Sequence, residues 1–386
     1  MKKKLTLMVG IFAGLLLLTG LYFLFINDSG KASENDLDKV DFLKDKKAAV
    51  YLSTTADQDT YGGGKSIAVF INKKGAPVSF EMEGLELGSI GIKENEVLLE
   101  DKKNFYKIAE GFEKIQREDY QHTGDHIGIL ENRNSFYALF NSGYDKEAGG
   151  YRSDYYWEEN GEFEKGTIPF FIEASVIYRD SLYTLSSSEN DESYVLSEVK
   201  LKKDTPMKTI VEIGKKENST TFGQLQADEK SIYFIRQTRN ITEMVTVDKK
   251  SGEHFSAEVA TYSNDDETLY QQTPFSFKRC FFLYNEHLYF ADGFGDVYRI
   301  PKEGGEGTKV FSLPAKSLEG SLEVFQQNGH LYLFTLNHKN NSAKIEQYTL
   351  SNGKKSGELK INDFPNMNNI NTKMYLYDFV MLEDLE

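Results

Sequence analysis

The chain has one cysteine, Cys280, one tryptophan, Trp157, six histidines and seven prolines in 386 residues. A lone cysteine excludes an internal disulfide, a CxxC redox pair, a cysteine-rich zinc knuckle and iron–sulfur ligation within one chain. Neither G-x-S-x-G nor HExxH occurs, so a hydrolase would have neither the nucleophile elbow nor the zinc helix. Positive charge is also scarce: 45 Lys and Arg stand against 60 Asp and Glu, for a net charge of −15. That balance speaks against nucleic acid as a partner and favours cationic ligands, metal ions or basic protein surfaces, though it also simply keeps a domain soluble. What is abundant is aromatic, with 27 Phe and 23 Tyr in a chain that is 39% hydrophobic and 27% charged. This is the composition of a folded chain biased towards strands.

One long hydrophobic run is present. Leu5–Ile26 holds 22 residues without a charge, and at about 1.5 Å rise per residue it matches a bilayer core roughly 30 Å thick. It ends in bulky Tyr22–Ile26 rather than in a small-residue cleavage site, so it reads as a signal-anchor helix. Lys2, Lys3 and Lys4 precede it and Asn27 and Asp28 follow, which places residues 1–4 in the cytoplasm and everything after residue 26 outside, in a single-pass cell-membrane topology. Without those three lysines the exported part carries a net −18. Residues 27–47 (NDSGKASENDLDKVDFLKDKK) are polar with sparse apolar positions and read as a stalk.

From residue 48 a pattern recurs. Short apolar strands centred on a tyrosine lie at Tyr51, Tyr137, Tyr183, Tyr233, Tyr289, Tyr332 and Tyr375, with a weaker member at Leu98. The steps average about 46 residues, and strand-rich repeats of about 40–50 residues are the signature of propeller blades. Each unit contains further alternating segments, such as DVYRI and KIEQYTL, and Asn328-Gly329 signals a type I′ hairpin. The expectation is an all-β chain: one β-propeller over 48–386, with seven four-stranded blades whose N- and C-terminal strands share a blade. Uneven spacing leaves six or eight open. KKNFYKIAEGFEKIQRED has apolar residues near helical spacing, but strand–turn–strand preserves the repeat.

The unit HLYFADGFGDVYRIPKEGGEG, through Leu288–Asp292 and Val297–Ile300, resembles the YWTD repeats of low-density-lipoprotein-receptor propellers. It resembles still more the DUF5050-type repeats of exported Gram-positive proteins. The resemblance implies the fold over 48–386 and no ligand.

Several segments carry chemistry-bearing residues. The run at 61–66 (YGGGKS) lacks the first glycine of a phosphate loop and leads into a strand, and Asp57-Gln58-Asp59 lacks later calcium ligands. Gly293-Phe294-Gly295 has Tyr298 where a dinucleotide fingerprint needs glycine. Cys280 follows Lys278 and Arg279 but precedes Phe281-Phe282-Leu283, which reads as a buried strand. His122, Asp125 and His126 would ligate zinc or manganese if a turn folded them together; the alternative is a polar inter-strand loop. The segment 144–163 concentrates aromatics and carboxylates, and Tyr155, Tyr156, Trp157, Glu158 and Glu159 form a candidate ligand-binding arm for sugars or a basic peptide. The alternative is packing between blades. No motif names a cofactor. The expected function is a membrane-anchored, extracytoplasmic, non-enzymatic module binding a protein, basic peptide or glycan at the cell surface. The alternatives are a propeller lyase or hydrolase using central-channel carboxylates, with or without a metal ion, and a sensor signalling through a membrane partner.

Overall fold

A computed structural model describes residues 30–60, 64–146, 149–188, 190–202, 206–215, 219–262, 278–314, 321–340, 342–365, 367–369 and 372–385. The apolar run at 5–26 lies outside the described residues. The strands form seven four-stranded antiparallel sheets, arranged as the blades of a β-propeller, and a two-stranded ribbon, Asn368–Asn369 with Thr372–Lys373. Blades 2 to 7 each run outwards from their first strand and span 90–116, 123–168, 174–214, 219–261, 281–312 and 321–361. Blade 1 is shared: Tyr375–Met381 is its innermost strand, and Lys46–Ser53, Lys65–Asn72 and Pro77–Glu83 follow outwards.

Each sheet is sandwiched between two others, so its middle strands are buried on both faces and read as continuous apolar runs. Every residue of Lys46–Ser53 is buried. Outer strands such as Met207–Gly214 are largely exposed. The core therefore lies in layers between blades, with one cluster joining blades 4 and 5 and another joining blades 6 and 7.

Seven of the eight sequence markers sit on second strands, but Tyr375 lies on the innermost strand of blade 1. Its step of 43 residues from Tyr332 matches the blade period by coincidence of loop length. Asn328 and Gly329 both have positive φ, 49° and 76°, as a type I′ turn requires. Asn104–Ile108 and Phe112–Gln116 are strands joined by a turn.

The expected stalk differs. From Gly30 the chain is packed against the propeller, because its few apolar residues are anchors: Leu37 and Phe42 are buried, and the Phe42 ring meets Phe70 edge-to-face at 5.1 Å. Lys31 pairs in parallel with Ser79 on the outer edge of blade 1.

Candidate functional site

The antiparallel topology sorts the connections onto two faces. The face where innermost strands begin carries the links between blades and those between second and third strands, including the short helix Ala56–Thr60. The opposite face has tight first hairpins, with Glu94, Arg179, Asn285 and Asn328 at positive φ. Loop length, and with it room for specificity, belongs to the first face.

At the axis of that face Lys278 and Arg279 precede the innermost strand of blade 6, Phe281–Tyr284. Their side chains cross the ring. The Lys278 ammonium donates to the carbonyls of Leu87 and Gly88 (3.0 Å for the latter) and to Ser89 Oγ at 2.5 Å. These acceptors belong to the loop entering blade 2, three blades away around the ring. Gly88 is required there by close approach, since a Cβ would fall 2.3 Å from the ring of Tyr51. That tyrosine donates its hydroxyl to the Glu100 carbonyl at 2.7 Å. Arg279 forks onto Asp378 of the closing strand, with Nε to Oδ1 at 2.7 Å and a terminal nitrogen to Oδ2 at 2.9 Å. Asp378 also accepts from the Ile90 and Phe379 backbone amides, both at 2.9 Å.

The charges are tuned by this setting. Burial pushes the Asp378 carboxyl up, but the adjoining Arg279 outweighs it and holds the group below its ordinary range. Burial lowers Lys278, against the pull of Asp378, Glu100 and Asp125. Glu100, fully buried, is pushed up to about 8 by desolvation, with Lys278 and Arg117 opposing. Its Oε1 accepts from the Ser89 amide at 3.0 Å and its Oε2 has no hydrogen-bond partner. Desolvation also raises Asp125, which accepts from Ser175 Oγ at 2.9 Å.

Around this mouth, Asp59 meets Lys102 at 2.5 Å and His122 Nδ1 at 3.2 Å. Glu86 accepts from the Ala56 amide at 2.9 Å and from the Tyr377 hydroxyl at 3.4 Å. Among the described residues the mouth holds the ion pairs Arg279–Asp378 and Lys102–Asp59 and a lysine bound to uncharged acceptors, with the neutral Glu100 beneath them.

The structure separates the candidate metal ligands. His122 is exposed and turned to Asp59, Asp125 is turned to Ser175, and His126 is buried against Tyr137, its rings 5.6 Å apart. Desolvation, helped by Arg279 and Lys278, drives the His126 pKa down to about 3. His122 precedes the strand Thr123–Leu130 and a register shift falls at Asp125, between Gly124 and His126, and no group of three or more His, Cys, Asp or Glu placed to hold a metal occurs among the described residues. Cys280 is buried, and desolvation raises its thiol far above the ordinary value.

The aromatic arm divides in the same way. Tyr155 and Trp157 stack at 5.5 Å and pack against Leu182 and Val199 of blade 4, while Tyr156 faces Phe105 and Phe140 towards blade 2. Trp157 is only 2% exposed. Glu158 is buried and paired with Lys107 at 2.7 Å, and Glu159 is exposed. Tyr155, Tyr156 and Trp157 pack between blades, the alternative the sequence left open, and Glu158 joins them through Lys107 of blade 2. The exposed aromatics of the same hairpin are nearer its tip: Tyr144 (59% exposed) and Tyr151 (57%) meet edge-to-face at 5.6 Å, and Phe171 (46%), from the link to blade 4, joins Tyr151 at 6.3 Å. The hairpin's strands, Ser135–Asp145 and Gly150–Glu159, run 11 and 10 residues and carry Tyr144 and Tyr151 on the loop-rich face, where Phe171 of the link to blade 4 meets them. Strand length in 135–159 was the signal available for them.

Fold and mouth together define a seven-bladed β-propeller whose axis is crossed by a lysine and an arginine. The YycP β-propeller domain family matches residues 41–382, and the chain belongs to that family. The uncharacterized protein YycP of Bacillus subtilis (strain 168) is 38% identical over 378 residues, covering 96% of this chain and 97% of that one. Among solved structures, a protein from Lactobacillus plantarum superposes with a TM-score of 0.50 at 10% identity, over 88% of this chain and all of that one. A puromycin hydrolase variant gives 0.52 at 10% identity, over 85% of this chain and 56% of that one. At such identity these likenesses concern fold alone.

Proposed function

We propose that this protein is a single-span membrane protein whose propeller stands outside the cytoplasm as a non-enzymatic binding module for a basic protein segment. One observation carries the binding role: Tyr144 and Tyr151 on a long hairpin, with Phe171 of the following inter-blade link beside them, form an exposed aromatic group on an acidic body. Such rings add cation–π attraction for Lys and Arg to large contact area, and tyrosine is a favoured hot-spot residue. The membrane setting is supported by Leu5–Ile26 and the lysines before it. The likeness of 287–307 to DUF5050- and YWTD-type repeats fits an exported domain. The lyase or hydrolase alternative is weaker: Glu100, whose raised pKa suits a general acid, has no exposed surface, and Asp378 is engaged by Arg279 and two amides.

The test places a photo-crosslinking amino acid at Tyr151 of the full chain in its own membranes, and at Met207 on the rim of blade 4 as a control. The expected result is a discrete adduct to a basic protein segment at Tyr151, absent at Met207 and lost when Tyr144 and Phe171 become serine. An adduct removed by glycosidase would replace the peptide reading with a glycan one. Equal adducts at both positions, or none, would refute a binding role for the hairpin.

A further inference from the structure

We infer that the rim of blade 1 lies directly against the membrane surface; this rests on the reading that Leu5–Ile26 spans the bilayer. The argument is one of slack. From Gly30 onwards the chain is fixed to the propeller. The Gly30 carbonyl accepts from the Ser79 amide at 2.7 Å and the Ala32 amide donates to the Ser79 carbonyl at 2.8 Å. Ser33 then opens a capping box with Asp36, Leu37 is buried, and Asp38 accepts from the Phe112 amide of blade 2 at 3.0 Å. Glu34 pairs with Lys114 at 3.1 Å. Four peptide steps separate Ile26 from Gly30, and whatever path they take they span at most about 14 Å.

A domain of this size has a radius of gyration of about 20 Å. A tether so short cannot hold it off the bilayer or let it turn freely, and the outer edge of blade 1 must be the nearest part. The surface chemistry agrees. Residues 30–47 carry five lysines and five carboxylates, which cancel, in a chain of net −15. This segment is therefore repelled less by anionic headgroups than the chain as a whole, and Glu81 and Glu83 of the adjoining outer strand are paired with Lys31, Lys65 and Lys103. Val40 is 72% exposed, the most exposed large apolar side chain among the described residues. It lies between Lys39 and Lys44, and Lys73 of the next turn donates its amide to the Asp45 carbonyl at 3.0 Å. The surface around Val40 is of mixed charge, with Lys44 and Lys46 beside Glu94 and Glu96, and an exposed valine there can meet the headgroup boundary, where ammonium groups reach phosphate and the apolar part reaches inwards.

Cys280 is buried, so new cysteines can be labelled selectively. The full chain is reconstituted in vesicles of phosphatidylethanolamine and phosphatidylglycerol containing a nickel-chelating headgroup quencher. A fluorophore is attached to V40C, K74C or, on the far rim, K208C. Quenching at positions 40 and 74 should exceed that at 208 several-fold. Inserting ten Gly and Ser residues between Ser29 and Gly30 should bring the three together. Equal quenching in chains that sediment with the vesicles overturns the inference while sparing the anchor. Failure to sediment overturns the anchor itself, and the inference with it.

Discussion

Glu100 offers a direct reading of the buried mouth. Its carboxyl is pushed up to about 8 from 4.5 by desolvation, so between those values the folded protein keeps a proton that the unfolded chain has released. Stability contributed by the neutral form is fully present below about 4.5 and is lost as pH rises through about 8. Each pH unit of that interval is worth about 1.4 kcal/mol, which sets a ceiling on the order of 5 kcal/mol. Glu100→Gln removes the ionisation while keeping the acceptor for the Ser89 amide. The variant should match its parent near pH 5 to within about 1 kcal/mol and exceed it by about 2–5 kcal/mol at pH 8.5. Urea unfolding of residues 30–386, which hold all seven blades, measures this across the range. Asp292, raised to about 7 by burial, acts in the same direction, and the neutral His126 acts in the opposite one. Both cancel when variant is subtracted from parent. A difference that stays constant from pH 5 to 8.5, or that grows against the variant, would refute the assignment of a neutral buried acid.

Three further outcomes follow from the same geometry. Asp378→Ala removes the buried carboxylate facing Arg279, whose terminal nitrogen keeps the Ile90 carbonyl at 3.3 Å, and should cost about 3–5 kcal/mol at pH 7; because the carboxyl is held below its ordinary 3.8, the penalty should hold down to about pH 4 and shrink only in stronger acid, which denaturant titrations at about pH 7, 4.5 and 3 check. Gly88→Ala would drive a Cβ into the Tyr51 ring and should lower the melting temperature by several degrees, whereas Gly161→Ala, which meets no atom within 4 Å but has φ 85°, should pay for backbone strain alone, about 1 kcal/mol. Trp157→Ala empties an inter-blade layer and should cost about 3–5 kcal/mol, while Tyr144→Ser on the exposed tip should leave the unfolding midpoint unchanged.

The repeat was legible because it is local. Second strands such as Ser231–Thr238 and His330–Asn337 announce themselves by composition, and the shared blade follows from counting them. The mouth was not legible, since it joins Lys278 to Gly88 across 190 residues and Arg279 to Asp378 across 99. Only ring closure brings them together. The sequence pointed to Lys278 and Arg279 as neighbours of Cys280; the structure makes the two cations the important members of that trio. The aromatic arm failed differently. Composition marked the right hairpin, but which rings face solvent depends on where blades 2 and 4 end against it, so Tyr155–Trp157 pack inside and Tyr144 and Tyr151 stand out. The stalk was misread because two apolar residues, Leu37 and Phe42, suffice to dock a segment when a capping box and an edge strand help.

That the recurring residue is tyrosine rather than phenylalanine has a reason in the ring. A second-strand aromatic must fill the gap between blades, which either side chain does, but at three of the second-strand tyrosines the tip arrives where loops leave backbone and carboxylate groups to be satisfied. Tyr51 gives its hydroxyl to the Glu100 carbonyl of the next blade, Tyr233 to Asp228 at 2.8 Å, and Tyr332 to Asp384 at 2.6 Å in the segment that follows the closing strand. The first and last of these tie blade 1 to its two neighbours. The same hydroxyl chemistry that makes the repeat visible in the sequence thus reinforces the closure on which the charged mouth depends. Replacing Tyr51 by phenylalanine would leave the Glu100 carbonyl without this donor, beside the buried acid that the mouth already holds neutral.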